Sequence, residues 1–286
     1  MAMMDPKAIG AHIRMKRPEL TPLELNVVDN IIAKADFNEQ SSIKDIAKET
    51  GVSEAMLVKI AKKLDFSGFR ELRTAIVLYH QQEVAQLYEE IAPDDDMGQL
   101  VSKVFRNSIQ AIEETMAILD VNELKRCVTF IDQAQEILLC GVGGSAEIAR
   151  DLAHKFLRIG IKTEVYEDAH MMLMASSLCH DHSVMIAVSH SGRTLDVIES
   201  VTLAKSQGAR VIVLTNYATS PLAQKADVVL SSTSRGSPLL GENAAARIAM
   251  LNILDVIYVA ITQLHPEKAQ QNLNKTRNAV CAKRIK

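Results

Sequence analysis

The sequence of 286 residues predicts two domains of different class: an all-α domain at the N-terminus and an α/β domain, a parallel sheet flanked by helices, in the C-terminal half. Three observations carry this. The chain exceeds the roughly 100–200 residues of one typical domain. Before position 120 its apolar residues recur at helical spacing. After Ala134, short apolar runs alternate with helical stretches, as expected of strands buried on both faces and covered by helices. The expected divisions are 1–80 for the helical domain, 81–120 for an acidic helical linker and 121–286 for the α/β domain.

Leu23, Val27, Val28, Ile31 and Ile32 share one face of a helix opened by Thr21, with Pro22 at its first position and Glu24 completing a capping box. Two short helices follow, Ile43 to Glu49 and Ser53 to Leu64, with Gly51 between them. A longer helix is expected from Gly68 to Tyr88. Pro93, Asp94, Asp95 and Asp96 break the pattern, and helix resumes from Leu100 to Ile118. In the second domain, strands are expected at Glu136–Cys140, Lys162–Tyr166, Ser183–Val188, Arg210–Thr215 and Asp227–Leu230. Helices are expected at Ala146–Ile159, Ala169–Leu178, Thr194–Ser206 and Asn243–Gln263. Met171, Met172 and Met174 read as core or interface fillers. The basic tail beyond Glu267 reads as a solvated, frayed end.

Composition narrows the function classes. Aromatics make up 4% and Trp is absent, which argues against a stacking platform for single-stranded nucleic acid. A net charge of −3 leaves room only for a local basic stripe. The cysteines Cys127, Cys140, Cys179 and Cys281 have neither metal-ligand spacing nor a disulfide framework. No uninterrupted apolar run reaches about 18 residues. The expectation is a cytoplasmic protein without metal, cofactor or membrane partner.

The segment Ile43 to Ile60 fits a helix-turn-helix. Ala47 permits close helix crossing, Gly51 supplies a positive-φ turn, and Ser53 caps the second helix. Glu54, Met56, Lys59 and Lys63 are expected to face a DNA major groove, with Lys44, Ser53, Arg70 and Arg73 completing the double-stranded DNA surface. Such a pattern also suits an ordinary helical hairpin.

Two later loops each join a strand to a helix. Gly141-Val142-Gly143-Gly144-Ser145 lets backbone N–H groups approach an anion at a helix N-terminus. The third glycine of a dinucleotide fingerprint would fall at Ala146, so that spacing is not met. Ser189-His190-Ser191-Gly192-Arg193-Thr194 sets three hydroxyls and a glycine before the next helix. Each loop alone also suits a tight strand-to-helix turn. Together, at the carboxyl ends of parallel strands, they point to a monophosphate site.

These loops resemble those of the sugar isomerase, or SIS, domain. With the helix-turn-helix before it, the chain resembles the RpiR family of bacterial regulators from about Ile13 to Asn278. The specific pieces are Val52–Met56, Phe66–Arg73, His154–Gly160, Asp168-Ala169-His170 and the Ser/Thr loop. The resemblance implies a dimeric or tetrameric regulator of sugar catabolism, with repression the expected sign, switched by a pentose or hexose phosphate. It implies that Gly143, Gly144, Ser145, Ser189, Ser191, Gly192 and Thr194 hold the phosphate, that His170 lies near sugar hydroxyls, and that Glu242 helps to close the site. Glu242 departs from the uncharged or basic residue common there. Arg247 and Asp255 match the family pattern on the last long helix, which implies packing between subunits. The competing reading is an aldose–ketose sugar-phosphate isomerase using Glu242 and His170.

Overall fold

The computed structural model describes residues 5–34, 36–83, 87, 89–235, 244–281 and 283. The chain divides into two compact units, Met1–Ile118 with Thr233–Ala246, and Leu119–Ser232 with Arg247–Lys286.

The first unit contains α1 (Ile9–Met15), α2 (Pro22–Ala33), α3 (Ile43–Thr50), α4 (Glu54–Lys63), α5 (Phe69–His80) and α6 (Met97–Ile118). The capping box on α2 forms as the sequence requires. Thr21 Oγ1 accepts from the Glu24 amide at 3.3 Å, and Glu24 Oε2 accepts from the Thr21 amide at 2.8 Å. Val27, Val28 and Ile31 of α2 pack with Ile46 of α3, Leu57 and Ile60 of α4, and Leu72 and Ile76 of α5. Helix α5 itself ends at His80; of the expected continuation to Tyr88, residues 84–86 and 88 lie outside the described residues. At its end the Gln82 amide bonds to the Tyr79 carbonyl at 2.9 Å, a tight closing turn that apolar spacing does not register. Helix α6 starts at Met97, ahead of the expected Leu100. Asp96 and Gln99 exchange backbone-to-side-chain bonds of 2.8 and 2.9 Å around its first turn.

In the second unit, α7 (Val121–Gln133) precedes β1 (Glu136–Cys140) and α8 (Gly144–Arg158). Then come β2 (Glu164–Tyr166), α9 (Ala169–Ser177), β3 (Ser183–Val188), α10 (Leu195–Ser206), β4 (Arg210–Thr215) and β5 (Val228–Ser231). Among the described residues these strands form one parallel sheet in the order β2-β1-β3-β4-β5. Side-chain alternation splits the core. Ile137, Leu139, Ile186 and Leu214 face a layer with Leu152 of α8, whereas Leu138, Cys140, Met185 and Val213 face one with Val201 of α10. Of the three methionines after Asp168, Met172 enters the second layer, and Met171 and Met174 stay exposed.

Helix α11 (Ala244–Leu264) is long and apolar enough to cross a membrane by length and composition. Its residues Met250, Ile253, Leu254, Ile257 and Ile261 lie in the core layer that contains α8. Two elements depart from expectation. Helix α7 was not anticipated; Asp120 caps it through the Asn122 amide at 2.7 Å, and Cys127 and Ile131 are buried. The tail expected to fray forms α12 (Pro266–Cys281). It docks through buried Ala269, through Asn272 Nδ2 donating to the Ile159 carbonyl at 2.8 Å, and through Thr276 Oγ1 donating to the Arg158 carbonyl at 3.3 Å. These donors satisfy carbonyls at the end of α8, a long-range use of polar residues that local charge counting misses.

Candidate functional site: two phosphate loops and a basic helix face

The sheet order places β1 beside β3, and the connections leaving these two strands diverge. Helix α8 follows β1 onto one face and α10 follows β3 onto the other. A crevice opens where connections part in this way, and open α/β sheets bind ligands there. Cys140 is paired with Ala187 across the two strands, so the loops that follow them start side by side.

The second loop is braced from beneath. The Gly192 amide donates to the Ser189 carbonyl at 3.2 Å, and the Gly192 carbonyl accepts from the Leu222 amide at 3.1 Å. The His190 carbonyl accepts from Thr215 Oγ1 at 3.1 Å and from the Asn216 amide at 3.0 Å. Gly192 has φ of +61°, which favours glycine. Ser189 Oγ and Thr194 Oγ1 lie 3.3 Å apart, and Ser191 Oγ accepts from the Arg193 amide at 3.2 Å. Ser191 and Thr194 are half-buried and Ser189 is buried, so all three hydroxyls cluster at one loop.

Both helices that open at this crevice start without a side-chain cap, α8 at Gly143 and α10 at Thr194. Thr21, Ser42, Ser53, Asp120 and Asp168 each cap their helix, and α1 and α5 in the first unit also start without a side-chain cap. Thr194 is a good capping residue whose hydroxyl is turned to Ser189 instead. At α8 the Ser145 and Ala146 amides turn back to the Val142 and Gly143 carbonyls at 3.2 and 3.0 Å, so the anion-attracting features of the pair are the two adjacent positive helix ends and the hydroxyls of the second loop.

The remaining expected ligand residues divide. Ser145 is half-buried and Gly143 and Gly144 are exposed at the first loop. His170, expected near the sugar, sits on the first turn of α9 with 92% of its side chain exposed. Its backbone amide is held by Asp168 at 3.0 Å, so the motif Asp168-Ala169-His170 is at least a helix start. Glu242 and Asn243 lie outside the described residues. Asp255 accepts from Lys155 Nζ at 2.5 Å within the chain. Sequence reasoning overlooked Thr215, Asn216 and Ser220, the buried polar residues that brace the second loop. Their signal was the abrupt change to polar residues after the apolar run Val211–Leu214.

The three buried cysteines, Cys127, Cys140 and Cys179, are poor nucleophiles. Burial pushes the Cys140 and Cys127 thiols up to about 12 and Cys179 up to about 11, well above neutral pH.

In the first unit, the helix-turn-helix is built as the sequence suggests. Ser42 Oγ accepts from the Asp45 amide at 3.1 Å, Gly51 ends α3 at φ +69°, and Ser53 Oγ accepts from the Met56 amide at 3.2 Å. The outward face of α4 is wider than the expected set. Leu57, Ile60, Ala61 and Leu64 point inward, which directs Ala55, Lys59 and Lys62 outward at helical spacing; with Val58 and Lys63 they line one surface groove. Met56 and Val58 are both half-buried against the core, because each lies one position from inward-pointing Leu57. Glu54, Lys44 and Arg70 are exposed. Lys63 is half-buried and donates to Glu24 Oε2 at 2.6 Å. Burial opposes ionisation of Glu24, yet the bonds from Lys63 and Thr21 hold its carboxyl below the usual range. Lys63 is thus a partly neutralised cation beside the groove. Arg73 donates to the Ser41 carbonyl at 3.1 Å, so it braces the entry to α3. Lysines flanking small apolar side chains on one helix match phosphate contact together with thymine-methyl contact in a major groove.

Comparison with known proteins agrees with both halves. Residues 7–83 match the helix-turn-helix domain of the rpiR family, and residues 130–261 match the SIS domain. The HTH-type transcriptional regulator RpiR of Escherichia coli K12 is 42% identical over 95% of this chain and 92% of its own length. Among solved structures, the Vibrio vulnificus NanR protein complexed with ManNAc-6P superposes with a TM-score of 0.62 at 26% identity, covering 96% of this chain and all of that one (100%). The sugar isomerase domain of an RpiR transcription factor from Sphaerobacter thermophilus shares the fold with a TM-score of 0.59 at 24% identity, covering 63% of this chain and 99% of that one.

Proposed function

This chain belongs to the RpiR family of helix-turn-helix transcriptional regulators, and from that premise we propose that it is a repressor of sugar catabolism released by a pentose or hexose phosphate. The observation that carries the ligand is the pair of adjacent uncapped helix ends at β1 and β3, one of them ringed by Ser189, Ser191 and Thr194. The complex of NanR with ManNAc-6P supports the same choice of chemistry. Duplex DNA is assigned to the α4 face carrying Ala55, Val58, Lys59 and Lys62. A single short helix face gives modest affinity, so we assign a homo-oligomer reading two half-sites. The protein works in the cytoplasm, on the nucleoid when bound to DNA.

The isomerase reading has less support. Aldose–ketose exchange needs a base within hydrogen-bond reach of a carbon-bound proton. The two loops carry no carboxylate, His170 is 92% exposed, and Glu242, the other candidate base, lies outside the described residues. The regulator reading rests on the helix-turn-helix and the transcriptional-regulator relatives.

A mobility-shift assay on genomic fragments, with ribose 5-phosphate, glucose 6-phosphate or N-acetylmannosamine 6-phosphate added in turn, tests the proposal. At least one is expected to weaken fragment retention about tenfold, a difference of about 1.4 kcal/mol. Retention unchanged across a broad sugar-phosphate panel counts against it, and turnover of any of these sugars would revive the enzyme. The substitutions Ser191→Ala and Thr194→Ala each remove a hydroxyl from the loop. Each is expected to weaken sugar-phosphate binding about tenfold, in line with about 1.5 kcal/mol for a bond to a charged group, and to leave fragment binding intact. Loss of fragment binding instead would make the loop structural only.

A further inference from the structure

The first unit holds a buried polar cluster that packing alone does not require. Arg14 of α1, with 12% of its side chain exposed, pairs with the buried Glu114 of α6. Tyr79 of α5 donates to Glu114 Oε1 at 2.6 Å, and Gln110 Nε2 donates to the same oxygen at 3.2 Å. Arg235 Nη2 donates to Tyr79 Oη at 3.1 Å. Thr233 is fastened three times. Its amide donates to Thr115 Oγ1 at 3.0 Å, its carbonyl accepts from the same hydroxyl at 3.4 Å, and its hydroxyl accepts from Arg14 Nε at 3.2 Å. A buried ion pair of this kind adds little net stability over an apolar replacement, so a specificity or switching role is the better account of its presence.

Thr233 and Arg235 follow directly on the last strand of the other unit. Ser232 is the last residue grouped with that strand, and Thr233 is the first grouped with the helical unit. Ser232 is itself held within the α/β unit. Its amide donates to the Thr215 carbonyl at 3.1 Å, and its hydroxyl donates to Asn216 Oδ1. Thr215 and Asn216 are the two residues that grip the His190 carbonyl in the phosphate loop. Two consecutive residues are therefore anchored at opposite ends. One is a single residue away from the loop that carries the hydroxyls, and the other is bonded to α6 and, through Arg14 and Tyr79, tied to the helices packed around the helix-turn-helix.

We propose that the Ser232–Thr233 junction is the transmission element of this regulator, carrying a shift of the Ser189–Thr194 loop through Thr215 and Asn216 to the Arg14–Glu114–Tyr79–Arg235 cluster. This rests on the sugar-phosphate reading for its physiological use, but the bonded path is present without ligand. A shift in the loop carbonyl alters the bonds at Ser232. The peptide bond passes that change to Thr233, whose three bonds leave it no slack. Such a contiguous set of bonds can carry coupling, and demonstrated coupling rather than proximity is the proof.

The test uses the full-length, ligand-free protein and two substitutions. Thr115→Val removes the hydroxyl that grips Thr233, and Tyr79→Phe removes the bonds to Glu114 and Arg235. Hydrogen exchange is followed peptide by peptide. In both variants, amides of the 189–194 loop and of Asn216, which belong to the other unit, are expected to exchange at least about threefold faster than in the parent. Acceleration confined to the first unit overturns the proposal. Should one variant melt, the other still decides. Fluorescence anisotropy then reads a retained genomic fragment with and without ribose 5-phosphate or N-acetylmannosamine 6-phosphate. The factor by which the sugar weakens binding is expected to fall at least about fivefold in each variant, with the separate affinities near those of the parent. An unchanged factor overturns the proposal. A parent that ignores every sugar phosphate yet shows the exchange coupling refutes the ligand assignment and leaves the junction standing.

Discussion

Gly192→Ala is expected to abolish the sugar-phosphate response while fragment binding persists. The residue sits at φ +61°, where an added Cβ would meet Ser220 Oγ at 2.1 Å, Ser220 Cβ at 2.5 Å and Thr215 Oγ1 at 3.1 Å. Left-handed backbone costs an alanine about 1–2 kcal/mol, and the clash with Ser220 Cβ is with an atom fixed to a buried backbone. The loop must therefore move. Its Gly192 carbonyl is bound to the Leu222 amide at 3.1 Å, so movement costs that bond as well. Displacing Ser191 and the first amides of α10 forfeits two or more charge-assisted bonds at about 1.5 kcal/mol each, or about 100-fold in affinity. Titration calorimetry with N-acetylmannosamine 6-phosphate and ribose 5-phosphate measures it. Adding Ser220→Gly to Gly192→Ala removes both close contacts and is expected to restore part of the affinity, but not the share lost to the strained φ. Affinity equal to the parent in the single variant would place the phosphate elsewhere.

The rescue isolates what the sequence shows and what it hides. The loop is legible because its hydroxyls and glycine are adjacent along the chain and lie between an apolar run and a helix. Its brace is not, because Ser220 and Thr215 reach Gly192 from the next strand connection, and a spacing of more than twenty residues leaves no local pattern. The same divide runs through the fold. Strands β1, β3 and β4 were readable because both their faces are buried, which makes each a continuous apolar run. Helices α7 and α12 were not. Each buries only a narrow stripe, Cys127 with Ile131 in one and Ala269 in the other, amid polar residues. On α4 the type of element and its phase were both legible: Glu54 and Lys59 are exposed as expected, Ala55 and Lys62 join them, and Met56 and Val58 are the two half-buried flanks of the inward row. Helix existence and phase follow from the period of the pattern; how far the flanking side chains are covered depends on the neighbouring helices.

Gly10→Ala is expected to destabilise the helical unit severely, against what helix propensity alone would suggest. Gly10 lies inside α1. There alanine is favoured over glycine by about 1 kcal/mol. The added Cβ, however, would sit 2.4 Å from Tyr79 Cζ, 2.5 Å from Tyr79 Oη and 2.8 Å from Tyr79 Cε2. Tyr79 is 1% exposed and its hydroxyl is tied to Glu114 at 2.6 Å and to Arg235 at 3.1 Å, so the ring cannot swing aside without breaking both bonds. Overpacking costs about 1–3 kcal/mol, and each bond lost to a buried charged partner costs about 1.5–3 kcal/mol more. The sum exceeds the propensity gain, and the net loss is expected to be about 3 kcal/mol or more. Urea unfolding followed by far-ultraviolet circular dichroism reads it as an earlier transition of the helical unit, with fragment binding lost in parallel and sugar-phosphate affinity kept. Combining Gly10→Ala with Tyr79→Ala makes room for the methyl group, so the pair should lose less than the sum of the two single changes. A single variant more stable than the parent would mean that α1 does not press Gly10 against Tyr79, and the packing that gives the Arg14 cluster its rigidity would go with it.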